Sequence, residues 1–575
     1  MIMKKDILIK FLFAVVVLIT TSCETIDLNQ TENPSAANPE LLNPIFAFNY
    51  IQLQLPDFVD QTNDFTQRVT RQMAMTGGNT YDNAFAPVNF NGQWSTGYNI
   101  LNAVKISEPK AREQNITYIL GASKVIRCYV FMTFVDMYGK IPYSQALLGV
   151  ENITPQYDDD ETVYAGILEE LDEAIALLGD TTGNAQGIED SYFGGTSGWI
   201  TLANTLKLKM YNNCNLLTTV GGKNVAAEIN AIVTQDNIID TKAEDFAFKY
   251  GTTRFNPNSR HPLYNDQYET GGGSYIANYF MWAMTTEKGT DFPNSTLDPG
   301  DPRVNYYFYK QDSDPQGEDA FTLPGKFAPR PDHYNSSRYN SFFDNTIRAC
   351  YTVSNWTTGG IPANGFWGRD HGNNSGIPPD QDKRTCVGLY PAGGEYGSGN
   401  SVQTNGQAGA QGGGIMPIFL SSWTHYIKAE LMLKGIIAGN AKDELLTAIS
   451  QSIEKSTTLF PDYPKGLAAS VIATKTSNYL DFIESVFDDG NTARRLELVI
   501  KEYYIAAWGN GIEPYNNYRR TGYPSNFQPT LEPESGSFYN AAFYSGDAEN
   551  NNPNVPLNDR TRKVFWAIPS IADLN

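Results

Sequence analysis

The side chains that usually carry catalysis or bind metal ions are few and scattered in this sequence. The four histidines form no zinc or metalloprotease motif; they are His261, His333, His371 and His425. Only His371, inside the run Gly-Arg-Asp-His-Gly, has a setting that could serve catalysis. Ser197, in Gly-Thr-Ser-Gly, misses the spacing of a nucleophile-presenting turn by one residue. The sequence therefore predicts no catalytic residue and no metal centre.

Carboxylates are plentiful, so one enzymatic alternative stays open. The chain has 63 Asp and Glu residues, and a glycoside hydrolase needs only two carboxyl groups at a defined separation. A sequence does not reveal that separation. The stretch from Asp298 to Asp314 offers oxygen ligands but lacks the spacing of a dedicated calcium loop. We predict no cofactor, and a glycoside hydrolase is the alternative from another class.

The five cysteines have different expected roles. No pair has metal-ligand spacing. Cys128 and Cys214 lie in apolar helical patterns and are expected to be buried. Cys350 and Cys386 lie in a loop-rich region of what reads as an exported protein, where they could form a disulfide.

Cys23 follows a segment with the organisation of an export signal. Lys4, Lys5 and Lys10 precede or flank a short apolar core, and small residues lead into Cys23. The apolar core of about nine residues is too short to span a bilayer, which takes about 20. We predict that residues 1–22 are a signal peptide, that Cys23 is lipidated, and that residues 23–39 form a flexible leash.

The net charge excludes some partners. It is −21, and removing three lysines and one aspartate with residues 1–22 leaves −23. So acidic a chain is repelled by nucleic acid and by anionic lipid. We therefore expect no nucleic-acid partner and membrane attachment through acyl chains alone. Aromatic residues make up 13% of the chain, more than a core of this size needs, which indicates a binding role.

Hydrophobic periodicity predicts helices in two regions that flank a loop-rich one. Asn38–Met75 reads as a helix broken by Pro44 and Pro56. The N-terminal scaffold, residues 40–250, continues with helices at 93–106, 115–138, 161–178, 198–216 and 223–233. Helical pattern returns at 417–435, 441–460, 477–487 and 492–508, and residues after Trp508 read as irregular. We predict a mainly α fold of tetratricopeptide-like hairpins, with residues 415–575 closing the scaffold.

Residues 251–414 differ in character from both flanks. They are rich in Gly, Pro, Asn, Asp and Tyr, and their helical periodicity fades. Too many aromatic residues are present for a disordered linker. The region is therefore expected to be an irregular, loop-rich lobe carried by the helical scaffold, the usual place for binding residues.

Four segments resemble the SusD/RagB family of Bacteroidetes outer-membrane lipoproteins. Residues 138–146, YGKIPYSQA, follow a long helix and resemble the family's GD[IV]PY-[ST]-EAL signature, with Lys140 and Gln145 where acidic residues are common. Asp301-Pro302-Arg303 resembles a second family motif. GRDHG and LYPAGG within 365–394, and RRTGYP at 519–524, are similar to one subfamily, that of starch-binding-associated members.

The resemblance implies a binding protein and not an enzyme. Members of the family sit as an extracellular lid on a SusC-like TonB-dependent transporter of the outer membrane. They capture oligosaccharides, or peptides in some members, for import. A peptide-binding lid and a purely structural lid are the alternatives within this class.

A sugar-binding role makes particular side chains candidates. Sugars have apolar C–H faces and a ring of hydroxyls, so they need aromatic platforms beside amides and carboxylates. The candidate ligand-binding residues are Trp356, Trp367, Asp370, Asn373, Tyr390, Tyr307 and Trp282. Arg519 and Arg520 could clamp an acidic ligand or form structural salt bridges.

Overall fold

The computed structural model describes residues 42–75, 81–184, 187–269, 274–285, 300–311, 368–369, 371–372, 384–399, 406–528, 530 and 536–569. The predicted signal peptide, Cys23 and the leash lie outside these residues, as do Cys350 and the Asp298–Asp314 stretch apart from 300–311. Residues Pro44–Asn575 form one compact unit. The division into residues 40–250, 251–414 and 415–575 stays a prediction.

The N-terminal half is built from long helices that pack successively against one another. They are α1 (Pro44–Val69), α2 (Asn91–Glu113), α3 (Thr117–Tyr138), α4 (Asp160–Gly179), α5 (Thr196–Asn213) and α6 (Val225–Gln235). Each helix contacts the next in the chain, which is the arrangement of stacked helical hairpins. The predicted mainly α fold is confirmed.

Helix α3 lies at the centre of this scaffold. Among the described helices it is the one long and apolar enough to cross a membrane by length and composition, yet 89% of its apolar window is buried inside the protein. Its apolar residues fill the core on every side, including Ile126, Phe131 and Phe134. A helix that is hydrophobic all round belongs in a protein core or a membrane, and here neighbouring helices cover it.

Helix α1 runs through Pro56, where the sequence predicts a break. A proline inside a helix removes the N–H that would bond to the carbonyl four residues earlier, here that of Gln52. The hydroxyl of Tyr192 donates to this Gln52 carbonyl at 2.9 Å instead. The side chain of Gln52 also donates to the Glu189 carbonyl and accepts from the Ser191 amide. These bonds join α1 to the loop before α5 and compensate for the proline.

Short strands tie the loop-rich region to the scaffold. Strand β3 (Phe246–Lys249) pairs antiparallel with β6 (Ile415–Phe419), and β4 (Phe308–Lys310) pairs antiparallel with β5 (Thr385–Val387). A small ladder joins β1 (Thr219–Val220) to β2 (Lys223–Asn224). The prediction of helix from residue 417 is therefore wrong for its first residues, because 415–419 is a buried strand.

The C-terminal helices return to the scaffold. They are α7 (Ser421–Leu433), α8 (Ala441–Thr457), α9 (Ala469–Asp489), α10 (Thr492–Ala506) and α11 (Ile512–Thr521). Helix α11 lies where the sequence predicts irregular chain. It packs against α1, and α7 packs against both α8 and α10. The two ends of the protein therefore share one hydrophobic core.

Candidate ligand-binding site

Two of the predicted ligand-binding residues are buried. Tyr307 and Tyr390 are 0% and 1% exposed, and their rings stack on each other with centroids 5.2 Å apart. In this structure they fill the core and present no platform to solvent. Trp356, Trp367, Asp370 and Asn373 lie outside the described residues, and Trp282 lies in a short helix, Asn278–Met284. Their proposed contact with ligand stays a prediction.

The motif arginines have structural partners. Arg520 pairs with Glu430 at 2.6 Å, and Arg519 donates to the carbonyl of Asn540 and lies 3.7 Å above the ring of Tyr515. Both guanidinium groups are buried. Arg519 and Arg520 therefore have a structural role, and neither side chain faces an external ligand.

The remaining candidates for chemistry are also core groups. His371 is fully buried, and burial lowers its pKa well below the usual range. Cys128, Cys214 and Cys386 are buried free cysteines, and Cys386 has no disulfide partner within the described ranges. In the same part of the chain, no three His, Cys, Asp or Glu residues are grouped so as to hold a metal ion.

A cavity of about 440 Å³ lies between α1 and the loop-rich region. From α1 it is lined by Asp60, Asp64 and Arg68, and across from them by His261 and Asp266. Its volume is within the range of pockets that take small molecules. Eight of its fourteen lining residues have polar or charged side chains and the rest are apolar or glycine, a mixture that suits the hydroxyl groups and C–H faces of a sugar.

The floor of the cavity, at Asn63 and Gly509, is held in place by hydrogen bonds between a side chain and the backbone. Asn63 donates to the carbonyl of Gly509 and accepts from the amide of Gly511, both at 2.8 Å. Gly509 has a φ of +99°, and a Cβ there would lie 2.9 Å from both Pro391 and Pro417. Only glycine fits this position without strain. The cavity floor is therefore fixed by α1 and by the turn after α10.

The electrostatic character of the cavity is acidic. Burial raises the pKa of Asp60 to about 8, and the negative charges of Asp64, Asp57 and Asp266 add to the rise. At neutral pH this carboxyl group is mostly protonated, so it can both donate and accept hydrogen bonds. Burial lowers the pKa of His261 to about 3, so its ring is neutral.

Three half-buried rings form an aromatic row beside these carboxylates. The row consists of Tyr192, Phe248 and Tyr250, with ring centroids 6.1 and 5.1 Å apart, and Tyr250 contacts the His261 ring at 4.8 Å. Because His261 lines the cavity, this contact places the Tyr250 end of the row close to it. Burial raises the pKa of Tyr250, and the charge of Asp60 adds to the rise. Rings beside carboxylates match the two surfaces of a sugar.

The sequence carried part of this signal. Asp57, Asp60 and Asp64 follow helical spacing, so they share one face of α1. That pattern alone is typical of a solvated face. It becomes a pocket wall because His261 and Asp266, about 200 residues away in the chain, pack opposite it.

Comparisons with known proteins agree with the fold. A SusD homolog from Bacteroides fragilis has 19% identity and a TM-score of 0.62, covering 90% of this chain and 98% of its own. A SusD homolog from Bacteroides uniformis has 16% identity and a TM-score of 0.62, covering 91% and 99%. A chitin-binding SusD homolog from Flavobacterium johnsoniae has 18% identity and a TM-score of 0.60, covering 92% and 98%. At such identities the likeness shows the fold alone.

Comparison with curated protein sequences gave no match. A family model gave one over most of the chain. It is the SusD-like model described as starch-binding and associating with the outer membrane, and it matches residues 29–347 and 381–539. Because these ranges cover well over half of the 575 residues, this chain belongs to the SusD-like family.

Proposed function

We propose that this protein captures oligosaccharides at the cell surface and passes them to a SusC-like TonB-dependent transporter without breaking a bond. The observation that carries the proposal is the cavity beside α1, where acidic and amide side chains lie next to the aromatic row. Family membership supports an outer-membrane setting. Structural relatives described as chitin-binding support a sugar ligand.

The lining explains why a sugar would be preferred over an apolar ligand. Asp60, Asp64 and Gln67 offer carboxyl and amide groups to hydroxyls. The ring of Tyr250 lies close by, against His261. Buried polar groups bind tightly only to ligands that satisfy their hydrogen bonds. An apolar ligand would leave the Asp60 carboxyl without a hydrogen-bond partner from the ligand, which costs free energy.

Replacing Asp60 by alanine is expected to weaken binding about tenfold or more for whichever of maltohexaose and chitohexaose the parent binds more tightly. The side chain would contribute a hydrogen bond in a half-buried site, and losing a bond to such a group typically costs about 1–3 kcal/mol. Titration calorimetry with maltohexaose and chitohexaose measures the effect. Glu169→Ala, an exposed acidic residue of α4 away from the cavity, is the matched control and is expected to bind like the parent.

Two results would count against this function. Absence of binding to every neutral oligosaccharide in the panel would contradict sugar capture, and release of shorter products during incubation would favour the glycoside hydrolase. Binding of peptides in place of sugars would favour the peptide-binding alternative.

The proposed anchor gives a separate prediction. In cells that lack the transporter, Cys23→Ala is expected to leave the outer-membrane fraction, because no acyl chain can be attached. Ser22→Ala, the neighbouring change, is the control and should stay bound. Fractionation followed by immunoblotting measures both. A Cys23→Ala protein that stays on the membrane would show that another element anchors the chain.

A further inference from the structure

The exposed face of α1 carries an unusual row of side chains outside the cavity. Phe46, Tyr50 and Leu53 are 69%, 42% and 54% exposed. Single exposed apolar residues are ordinary, but these three lie on successive turns of one helix face. We call this face, from Phe46 to Asp57, the α1 track. Amides lie within it, at Asn49 and Gln54.

The α1 track leads directly into the cavity. Asp57, Asp60 and Asp64 continue the same face toward the C-terminal end of α1, and the last two line the cavity. Eighteen residues separate Phe46 from Asp64, which corresponds to about 27 Å at 1.5 Å per residue. This length exceeds what the cavity itself holds, so a ligand that follows the track must be an extended chain.

The side chains of the track match the chemistry of a sugar chain. The rings of Phe46 and Tyr50 offer flat apolar faces, while Asn49, Gln54 and Asp57 offer hydrogen-bonding groups. One helical turn rises about 5.4 Å, comparable with the span of one sugar unit. Aromatic and polar groups therefore recur at a spacing that consecutive sugar units can use.

Charge narrows the class of ligand. Residues 44–67 contain no Lys or Arg, while Asp57, Asp60 and Asp64 are acidic. Arg68 is the first basic residue of α1, and it lies 3.5 Å from Asp64. A glycan with uronate or sulfate groups would meet the carboxylate of Asp57 on the α1 track, about three helical turns from Arg68, the nearest basic residue of this helix. An uncharged chain meets no such penalty.

We propose that the α1 track is an extended subsite for a neutral oligosaccharide whose end occupies the cavity. The proposal rests on the proposed function and adds the length and charge class of the ligand. A membrane surface is a poor alternative occupant, because anionic lipid would be repelled by Asp57 and its neighbours. A protein surface is the remaining alternative, and the test separates it from a sugar.

The test is chain-length dependence of binding in a variant with both rings removed. The parent is expected to bind chitohexaose or maltohexaose at least tenfold more tightly than the matching disaccharide. Phe46→Ser with Tyr50→Ser is expected to lose fivefold or more of the hexasaccharide affinity and to keep the disaccharide affinity. Calorimetry measures all four titrations, and unchanged disaccharide binding shows that the variant is folded.

A matched control comes from exposed apolar residues elsewhere. Val150 and Leu557 are 96% and 89% exposed and lie outside α1, so Val150→Ser with Leu557→Ser is expected to bind both lengths like the parent. A hexamer of galacturonic acid is expected to show no binding.

Three outcomes would overturn the proposal that the α1 track is a subsite. Equal affinity of the parent for hexasaccharide and disaccharide would show that no subsite lies beyond the cavity. Unchanged hexasaccharide binding in the Phe46, Tyr50 variant would show that the face serves another partner, such as a protein. Tight binding of the galacturonic acid hexamer would refute the neutral class. Absence of binding to any sugar would refute both the track and the proposed function, which distinguishes that failure from the other three.

Discussion

Replacing Glu430 by alanine is expected to destabilise the folded protein by about 3–5 kcal/mol, because it leaves a buried guanidinium without its counter-ion. Glu430 is fully buried on α7 and accepts two bonds from Arg520, at 2.6 and 3.0 Å. Lys434 and Asn215 complete its partners at 2.8 and 3.1 Å. Urea unfolding of the parent and the variant measures the difference.

A double variant shows how much of this loss comes from the orphaned charge. Glu430→Met with Arg520→Met removes both ions and replaces them with side chains that fit a core. It is expected to be more stable than Glu430→Ala, although it has lost more hydrogen bonds. If the double variant is instead less stable than Glu430→Ala, the interaction between Glu430 and Arg520 contributes more stability than is expected of an ion pair that apolar side chains can replace.

Acidification tests the same pair. Burial by itself would raise the pKa of Glu430, but Arg520 and Lys434 together hold it well below its usual range. A depressed folded-state pKa means that the stabilisation is fully present above the unfolded-state pKa of about 4.3 and is lost as the pH falls below it. The parent should therefore lose more stability than Glu430→Ala when the pH is lowered from 6 to 3. Equal losses would contradict the assignment.

Local periodicity accounts for the parts of the fold that the sequence predicts well. The stripe of Val163, Ile167, Leu168 and Leu171 predicts a helix at 161–178, and the structure has α4 at Asp160–Gly179. These residues are buried as the stripe requires. In an amphipathic helix, the spacing of the apolar residues marks the buried face. Such a helix can therefore be predicted without knowledge of distant residues.

Helix α11 shows the opposite case. It contains Pro514, Asn516 and Asn517, which are poor helix formers, and the sequence gives no stripe. Every residue from Ile512 to Arg520 is buried. The helix is therefore stabilised by partners from elsewhere in the chain, including Asp136, which accepts from Asn516 at 2.6 Å. Tertiary contacts of this kind are absent from a local pattern.

For the candidate site, the sequence predicts the types of side chain but not which residues form the site. An aromatic residue in a loop can be a platform or a core residue, and composition does not separate the two. Tyr307, directly before β4, and Tyr390, three residues after β5, are core residues that stack on each other. Asp60 lines the candidate cavity because His261 and Asp266, about two hundred positions away in the chain, line it as well. Both assignments depend on contacts between distant segments.

Replacing Arg303 by methionine is expected to destabilise the protein at least as much as replacing Glu430 does. The change leaves two buried carboxylates without a counter-ion, whereas loss of Glu430 leaves one cation. Arg303, Asp301 and Glu502 all have fully buried side chains. The guanidinium bonds to Asp301 at 2.7 Å and to Glu502 at 3.0 Å. Without it, two carboxylates face each other away from water, and a loss of about 3–5 kcal/mol or more follows.

The surroundings of Arg303 explain why the effect should spread through the fold. Its Nη1 donates to Ser452 on α8 at 3.1 Å, and Tyr479 on α9 donates to Glu502 on α10 at 2.8 Å. One buried cation thus joins the Asp-Pro-Arg motif of the loop-rich region to three C-terminal helices. Losing it should loosen the attachment of that region as well as lower global stability.

The matched control for Arg303→Met is Arg112→Met. Arg112 forms an ion pair with Glu108 on α2, and the two side chains are 52% and 36% exposed. Because exposed pairs contribute little, this change should lower the stability by less than about 1 kcal/mol. Adding Glu502→Gln to Arg303→Met removes one of the two unpaired buried charges and should restore part of the lost stability. Urea unfolding of the three variants measures these differences. If Arg303→Met costs no more than Arg112→Met, the Asp-Pro-Arg motif does not stabilise the fold through this ion pair.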